Sequence, residues 1–270
     1  MTDDLLNRLE RFYDAVPRDR AAVERHGGLE LFLRQSTPYP FYARPVLGGP
    51  APTAADLAAV RARQRELGVP EAFEWVDETT PGLLPLAEAA GLSVLRAPLL
   101  VLDPARLAAA TGSARIVDAD APDAAADLAA ISAVAHVGFG SPGTAAGDAG
   151  PAERDAALSA PDAEQLARQL ADIRSGVRAN ALAELPGQGP AASGLYQRAG
   201  DVAEIVGVAT LPSARRRGLG GAVTALLARH ALDQGVRTVF LSAASEDVAR
   251  VYQRQGFVRV ATACIADPPA

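Results

Sequence analysis

The stretch IVGVATLPSARRRGLGGAVTALLARHA, Ile205 to Ala231, constrains the fold more than any other part of the chain. A β-branched run ends at Pro212, three arginines lead into a cluster of glycines, and an alanine- and leucine-rich pattern with helical spacing follows at once. A strand that enters a glycine turn and leaves as a helix points several unpaired backbone N–H groups into one concavity, where the helix dipole is positive. Such a joint binds an anion. Gly218 and Gly220 let the main chain approach phosphate oxygens without a Cβ in the way, while Arg215, Arg216 and Arg217 add charge and forked donors. A diphosphate fits this description, but not that of a dinucleotide. The Rossmann fingerprint needs a third glycine where Val223 stands and an acidic residue about 20 positions on, and Thr238 to Ser242 supplies none. The plainer alternative is a glycine-rich turn with solvated arginines.

Composition narrows the chemistry further. All 26 basic residues are arginine, so a Schiff-base lysine, a Walker lysine and an amine nucleophile are all excluded. The single cysteine, Cys264, can form neither an internal disulfide nor a cysteine-based metal site, and no metal is expected. A formal charge of -6 argues against nucleic acid as a partner. No apolar run approaches the roughly 20 residues of a membrane span, and the start, MTDDLLNRLERFYDAV, is acidic where a signal peptide is basic. The sequence therefore leads to a cytoplasmic protein with no membrane partner.

The 270 residues suffice for two lobes. Residues 3 to 34 carry helical spacing (Leu5, Leu6, Leu9, Phe12, then Leu29, Leu31, Phe32), broken at Pro17 and Gly27-Gly28. A short strand fits around Phe41 to Val46, a helix over Asp56 to Gly68, and then strand, short helix and strand through EAFEWV, LLPLAEAAG and SVLRAPLLVL. Leu102 to Ser113 reads as a linker with one helical turn. Beyond it come a strand and helix to Gly138, a mobile loop from Gly140 to Pro161, and a helix capped by Asp162. Three strands, the quoted joint, and a strand, helix and strand then complete the chain. The block helix, glycine, strand, helix, glycine-apolar, strand occurs in Asp56 to Leu102 and again in Val223 to Ile265, with Gly68 matching Gly235 and Gly91 matching Gly256. These features predict an α/β protein of two lobes, 1–106 and 113–270, the second repeating the first.

At this point the sequence resembles the GCN5-related N-acetyltransferase (GNAT) superfamily. Its coenzyme loop, Gln/Arg-x-x-Gly-x-Gly/Ala, is written here as Arg215-Arg216-Arg217-Gly218-Leu219-Gly220. A second signature, Asn-x-x-Ala-x-x-Leu-Tyr-x-x-x-Gly-Phe, is written from Ser245 to Phe257 with Val248, Val251 and Tyr252 at its marked places. The resemblance implies the acyl-CoA N-acyltransferase fold, a mixed central sheet flanked by helices, with acetyl-CoA as co-substrate. It places the diphosphate on Arg215 to Gly221, the pantetheine arm beside Val208, Ala209 and Thr210, and a further cofactor contact at Ser245, shortened from the family's asparagine.

The implied reaction is acetyl transfer from a thioester to a primary amine, which needs a deprotonated amine, correct placement, a donor to the carbonyl oxygen and an acid for the departing thiolate. Tyr252 matches the family tyrosine facing the sulfur and is the candidate acid, with ring packing in the core as the alternative. Glu204, six residues before Thr210, is the candidate base, and a solvent-facing strand glutamate is an equal reading. His136 suits a helix C-terminus on electrostatic grounds alone, and His26 and His230 receive no role. A serine hydrolase is excluded because Phe139-Gly-Ser141-Pro-Gly143 fails the elbow motif at its first glycine.

In the first lobe, the counterpart of the coenzyme loop is Tyr42 to Gly49, which lacks the arginine-glycine spacing, and Ala87 stands opposite Tyr252. The first lobe therefore looks degenerate and shapes the acceptor side, where Trp75, Tyr39, Phe41 and Tyr42 are candidate lining residues or, equally, core. The acceptor is a small-molecule or peptide amine: antibiotic, polyamine, amino acid, protein terminus or, as in specialised tandem enzymes, a sugar amine. The rival function is a non-catalytic acyl-CoA sensor or scaffold that keeps the loop and makes no use of Tyr252 and Glu204.

Overall fold

A computed structural model of the protein describes residues 2–34, 42–109 and 114–269. In chain order the elements are α1 (Thr2–Arg18), β1 (Ala21–His26), β2 (Leu29–Arg34), β3 (Ala43–Pro45), α2 (Ala54–Leu67), β4 (Phe73–Val76), α3 (Leu83–Ala89), β5 (Ser93–Leu102) and β6 (Ala114–Ile116). They continue with α4 (Ala124–Phe139), α5 (Pro151–Ala157), α6 (Ala163–Arg174), β7 (Arg178–Leu185), β8 (Gly189–Ala199), β9 (Val202–Thr210), α7 (Leu219–Asp233), β10 (Thr238–Ser242), α8 (Glu246–Gln253) and β11 (Phe257–Asp267). Single 3₁₀ turns cover Pro104–Arg106 and Pro212–Ala214. Two compact units result, Met1–Leu99 with Val260–Ala270, and Leu100–Arg259.

In the first unit the strands run in the order β1-β2-β3-β4-β11-β5, with β3 and β4 parallel. Helix α2 forms because its ends are well stopped. Thr53 accepts from the Asp56 amide while Asp56 accepts from the Thr53 amide, and Gly68 closes the other end in the left-handed conformation. Its inner face, Leu57 and Val60, packs with Leu29, Leu31, Phe73, Trp75, Leu83 and Cys264 in one buried cluster. The Asp56 carboxylate also accepts from the Gly28 amide at 3.2 Å, and these amide bonds hold its pKa below the usual aspartate range. A depressed carboxylate contributes stability above the ordinary aspartate pKa and loses it on acidification. Asp56→Ala is expected to lower stability by about 1 kcal/mol at neutral pH, with the difference from wild type shrinking in acid; urea melts at both pH values read this.

Residues 29–34 differ from the helix expected of them. The chain turns at Gly27-Gly28 into a hairpin in which His26 pairs with Leu29 and Ala21 with Arg34. The two-glycine turn and the alternation of Leu29, Leu31 and Leu33 are strand signals that outweigh the Leu31-Phe32 pair read as helical. Trp75 is not a lining residue but sits 1% exposed in the core, its indole N–H without a partner among the described residues. Tyr42 is half-buried near the Phe32 ring, and Tyr39 and Phe41 lie outside the described residues, as do residues 110–113 at the end of the expected linker.

The second unit has the strand order β10-β9-β8-β7-β6, antiparallel except for β9 and β10. Helix α7 covers one face of this sheet, and α4 and α6 pack against the other, where Leu182, Leu128 and Ile131 meet Leu166 and Leu170. The stretch from Gly140 to Pro161 is not a featureless loop. It contains α5, started by Pro151 and by Glu153, whose carboxylate accepts from the Gly150 amide at 2.6 Å. Buried Arg154 then fastens the helix by donating to the carbonyls of Gln188 at 2.7 Å and Pro190 at 2.6 Å.

The last strand corrects the boundary expected at 113–270. Residues 260–270 belong to the first unit, where Cys264 pairs with Trp75 and both Cys264 and Ala266 join the buried cluster. Conversely, Leu100 and Leu102 at the end of β5 lie in the core of the second unit. Strand destination is a non-local choice that a local pattern does not encode. The two matched blocks end their helices with the same hydrogen bonds. After α2 the amides of Gly68 and Val69 return to Arg65 and Gln64, and after α7 those of Gly235 and Val236 return to Leu232 and Ala231. Likewise Gly91 returns to Glu88 and Gly256 to Gln253.

Candidate active site

The site is built around β9. Its first residues pair with β10 at Val202, Ala203 and Glu204, and the pairing ends there. On its other edge β9 stays paired with β8 up to Thr210, through an irregularity between Ser193 and Leu195 that leaves one extra residue on β9. Gly207, at φ 65°, carries this bulge, a conformation that glycine adopts without strain. The bulge reverses the alternation of the strand. Ile205 lies opposite Tyr196, whose hydroxyl meets His230 of α7, and Val208 reaches toward Gly194 beneath Val223 of the same helix. Odd residues before the bulge and an even one after it thus face α7. Past Glu204 the edge turned toward β10 has no strand partner among the described residues, an edge that suits an extended ligand.

At the end of β9 the chain makes its 3₁₀ turn and enters α7 through Arg216 at φ 61° and Gly218 at φ 80°. A non-glycine residue held in the left-handed region marks a constrained loop. The first intrahelical bond is from Ala222 to the Gly218 carbonyl at 2.9 Å, so the amides of Leu219, Gly220 and Gly221 open the helix without helical acceptors. No side chain caps this end and its first turn holds no acid. Gly220 lies close against β9: a Cβ there would stand 3.2 Å from Thr210 Oγ1 and 3.9 Å from Val208 Cγ1. Arg216 and Arg217 are exposed and form no ion pair among the described residues. Charge, free amides and an open strand edge therefore meet at one place, the arrangement expected of a diphosphate with an extended arm.

Two of the residues expected to contact the cofactor have partners within the protein. The guanidinium of Arg215 points away from the helix terminus and donates to four carbonyls, those of Thr210, Gly138, Ser141 and Ala145. It is not disposed as a phosphate ligand, because four of its five donors are already directed at main-chain carbonyls. Burial without a carboxylate partner pushes its pKa down. Ser245 uses its hydroxyl oxygen to cap α8, accepting from the Val248 amide at 3.3 Å.

Tyr252 lies in α8, 8% exposed, with its ring edge-on to Phe257 at 6.3 Å. Burial pushes the pKa of its phenol up to about 12. Burial disfavours the phenolate, so the proton stays on throughout the neutral range. Glu204 is buried at 9% exposure, between Gln197 of β8 and Phe240 of β10, on the face opposite Ala203 and Ile205. His230 is the hydrogen-bond partner of Tyr196 at 3.0 Å, and burial lowers its pKa. Among the described residues no cluster of His, Cys, Asp or Glu is arranged to hold a metal, and no helix is long and apolar enough to cross a membrane.

Sequence reasoning missed Gln255 and Gly138. A Cβ on Gly221 would meet the Gln255 amide nitrogen at 2.8 Å, so this side chain rests on the first turn of α7; the residue before the Gly-Phe pair carried no signal of it. Gly138 approaches β9 so closely that a Cβ would lie 3.0 Å from Ala209 Cβ. Its position one residue before an exposed Phe139 was the available hint.

The loop, the open strand edge and Tyr252 all fall within one stretch that is similar to known acetyltransferases. Residues 163–257 match the family described as "Acetyltransferase (GNAT) family". A GCN5-related N-acetyltransferase from Kribbella flavida is similar in structure, with a TM-score of 0.70 at 22% identity over 98% of this chain and 96% of that one. The tandem GNAT protein from the clavulanic acid biosynthesis pathway gives a TM-score of 0.51 at 18% identity over 90% and 79% of the two chains. In sequence, the mycothiol acetyltransferase of Cellulomonas flavigena is 41% identical over 71 residues, 26% of this chain, and the match spans a fifth (20%) of that relative's length. The match to the family thus covers about a third of the chain, residues 163–257, while the chain as a whole has the fold of these GCN5-related and tandem GNAT structures.

Proposed function

We propose that the protein transfers an acetyl group from acetyl-CoA to a primary amine by direct attack. The observation that carries this reading is the set of free amides at Leu219 to Gly221 beside the strand edge left open after Glu204. The diphosphate binds at Gly218 to Gly221 with Arg216 and Arg217 screening its charge, and the pantetheine arm pairs with Val208, Ala209 and Thr210. Acetyl-CoA would supply the thioester whose carbonyl is open to nucleophiles. A backbone N–H of β9 then donates to the carbonyl oxygen as charge builds there. The amine nitrogen forms the new C–N bond while the C–S bond breaks. Glu204, directly or through water, takes the proton released from nitrogen, and Tyr252 gives its phenolic proton to the sulfur.

The first lobe supports the second without holding coenzyme. In its favour, the N-terminus of α2 is already satisfied by Thr53 and Asp56, a carboxylate standing where the second lobe leaves amides free. Ala87 on α3 offers no phenol at the place of Tyr252.

A panel of amines with acetyl-CoA, read by thiol release, tests the reading and reports the acceptor class. The likeness of 71 residues to a mycothiol acetyltransferase makes a sugar amine the first member of that panel. Release above the amine-free rate with at least one acceptor is expected. Tight coenzyme binding with no turnover across amino sugars, polyamines, aminoglycosides, amino acids and peptides would favour the sensor instead.

A further inference from the structure

Arg215 opens the coenzyme-loop signature, yet its side chain is turned inward. Nη2 donates to the carbonyls of Gly138 at 2.9 Å and Ser141 at 2.5 Å, Nη1 to Ala145 at 3.0 Å, and Nε to Thr210 at 3.3 Å. Gly138 lies in the last turn of α4, where carbonyls have no helical donor and a cation is favoured. The same two stretches of chain are joined by the backbone bonds Gly147 N to Pro212 O, 3.2 Å, and Ser213 N to Ala149 O, 3.0 Å. They are also packed tightly, since a Cβ on Gly150 would stand 2.5 Å from Ser213 Oγ and one on Gly138 would stand 3.3 Å from the Thr210 carbonyl. The loop is thus divided in two. Arg216 and Arg217 face solvent beside the free amides, and Arg215 grips the segment that follows α4.

We propose that Arg215 is a positioning residue that couples the coenzyme loop to residues 138–150, so that anion binding at Gly218 to Gly221 tightens that segment. The proposal rests on the reading of this loop as the coenzyme site. Four acceptors in different directions suit a planar fork of five donors; a lysine ammonium has three donors on one atom and cannot span them. The consequence is an ordered site, in which the segment after α4 takes its final form once coenzyme is held.

Hydrogen exchange of the full chain, followed at the amides of Gly140, Ser141, Gly147 and Ser213 with and without coenzyme A, tests this together with calorimetric affinity at low and high salt. In wild type, coenzyme A is expected to slow exchange at these amides by about tenfold or more. Arg217→Gln should weaken binding several-fold and reduce its salt dependence while keeping that protection. Arg215→Gln should keep the salt dependence and lose the protection, and Arg215→Lys, the gentler change, should not restore it. The proposal is overturned if either Arg215 variant flattens the salt dependence as Arg217→Gln does and retains the protection, because Arg215 is then a phosphate ligand. Unchanged exchange of these amides in the free Arg215 variants would also overturn it. Absence of coenzyme binding by wild type would instead remove the functional reading, so the two failures are distinguishable.

Discussion

Gly220→Asp is expected to abolish coenzyme A binding while leaving the protein folded. The two halves of this result have separate causes. A carboxylate in the first turn of α7 meets the free amides of Leu219 to Gly221 and the positive end of the helix dipole, which stabilises the helix by about 0.3–1 kcal/mol. The Cβ has 3.2 Å to Thr210 Oγ1, tight but able to yield by a small side-chain shift. The same carboxylate stands where the diphosphate must sit. Two unit charges about 4 Å apart repel by about 4 kcal/mol at an effective dielectric of about 20, close to a thousandfold in affinity. Calorimetry together with a thermal melt reads both halves. Normal coenzyme binding by a folded Gly220→Asp protein would remove the loop from the site.

Tyr252→Phe is expected to lower turnover by about a hundredfold with coenzyme affinity within about twofold of wild type. Phenylalanine keeps the edge-on contact with Phe257 and nearly the same buried volume, so stability should change little. The pH dependence carries a second expectation. With the phenol pushed up to about 12, the wild-type rate should show no alkaline fall from Tyr252 between neutrality and about pH 10, only the rise that follows deprotonation of the amine. Steady-state rates of both proteins across that range make the comparison. Equal turnover would remove Tyr252 as the acid.

What could be read from the sequence follows from how local each determinant is. The joint at Ile205 to Ala231 was legible because a strand, a glycine turn and a helix each announce themselves within a few residues. Helix α2 was equally plain, with its capping threonine and closing glycine. The repeat was legible as a matched order of elements, and the returning hydrogen bonds at Gly68 and Gly235 share its spacing. The hairpin of β1 and β2 was lost to an ambiguous apolar pattern although Gly27-Gly28 announces a two-residue turn. Helix α5 was hidden in a glycine- and proline-rich stretch, where Pro151 followed by Glu153 was the usable signal. The destination of β11 and the inward turn of Arg215 depend on partners more than sixty residues away, Trp75 in one case and Gly138 in the other, and nothing within either segment encodes them. At the site the residue types were legible and their directions were not. Val208 faces α7 only because Gly207 inserts a bulge.

Titration of the folded protein with coenzyme A in a calorimeter tests the assignment most directly, because it asks whether the amides after Thr210 hold a thioester carrier at all. One molecule bound per chain, with an affinity that weakens as salt is added, is the expected result: one lobe grips and the other, plugged by Asp56, does not. No heat with coenzyme A or acetyl-CoA at millimolar concentration would contradict it, and two equivalent sites would contradict the silent first lobe.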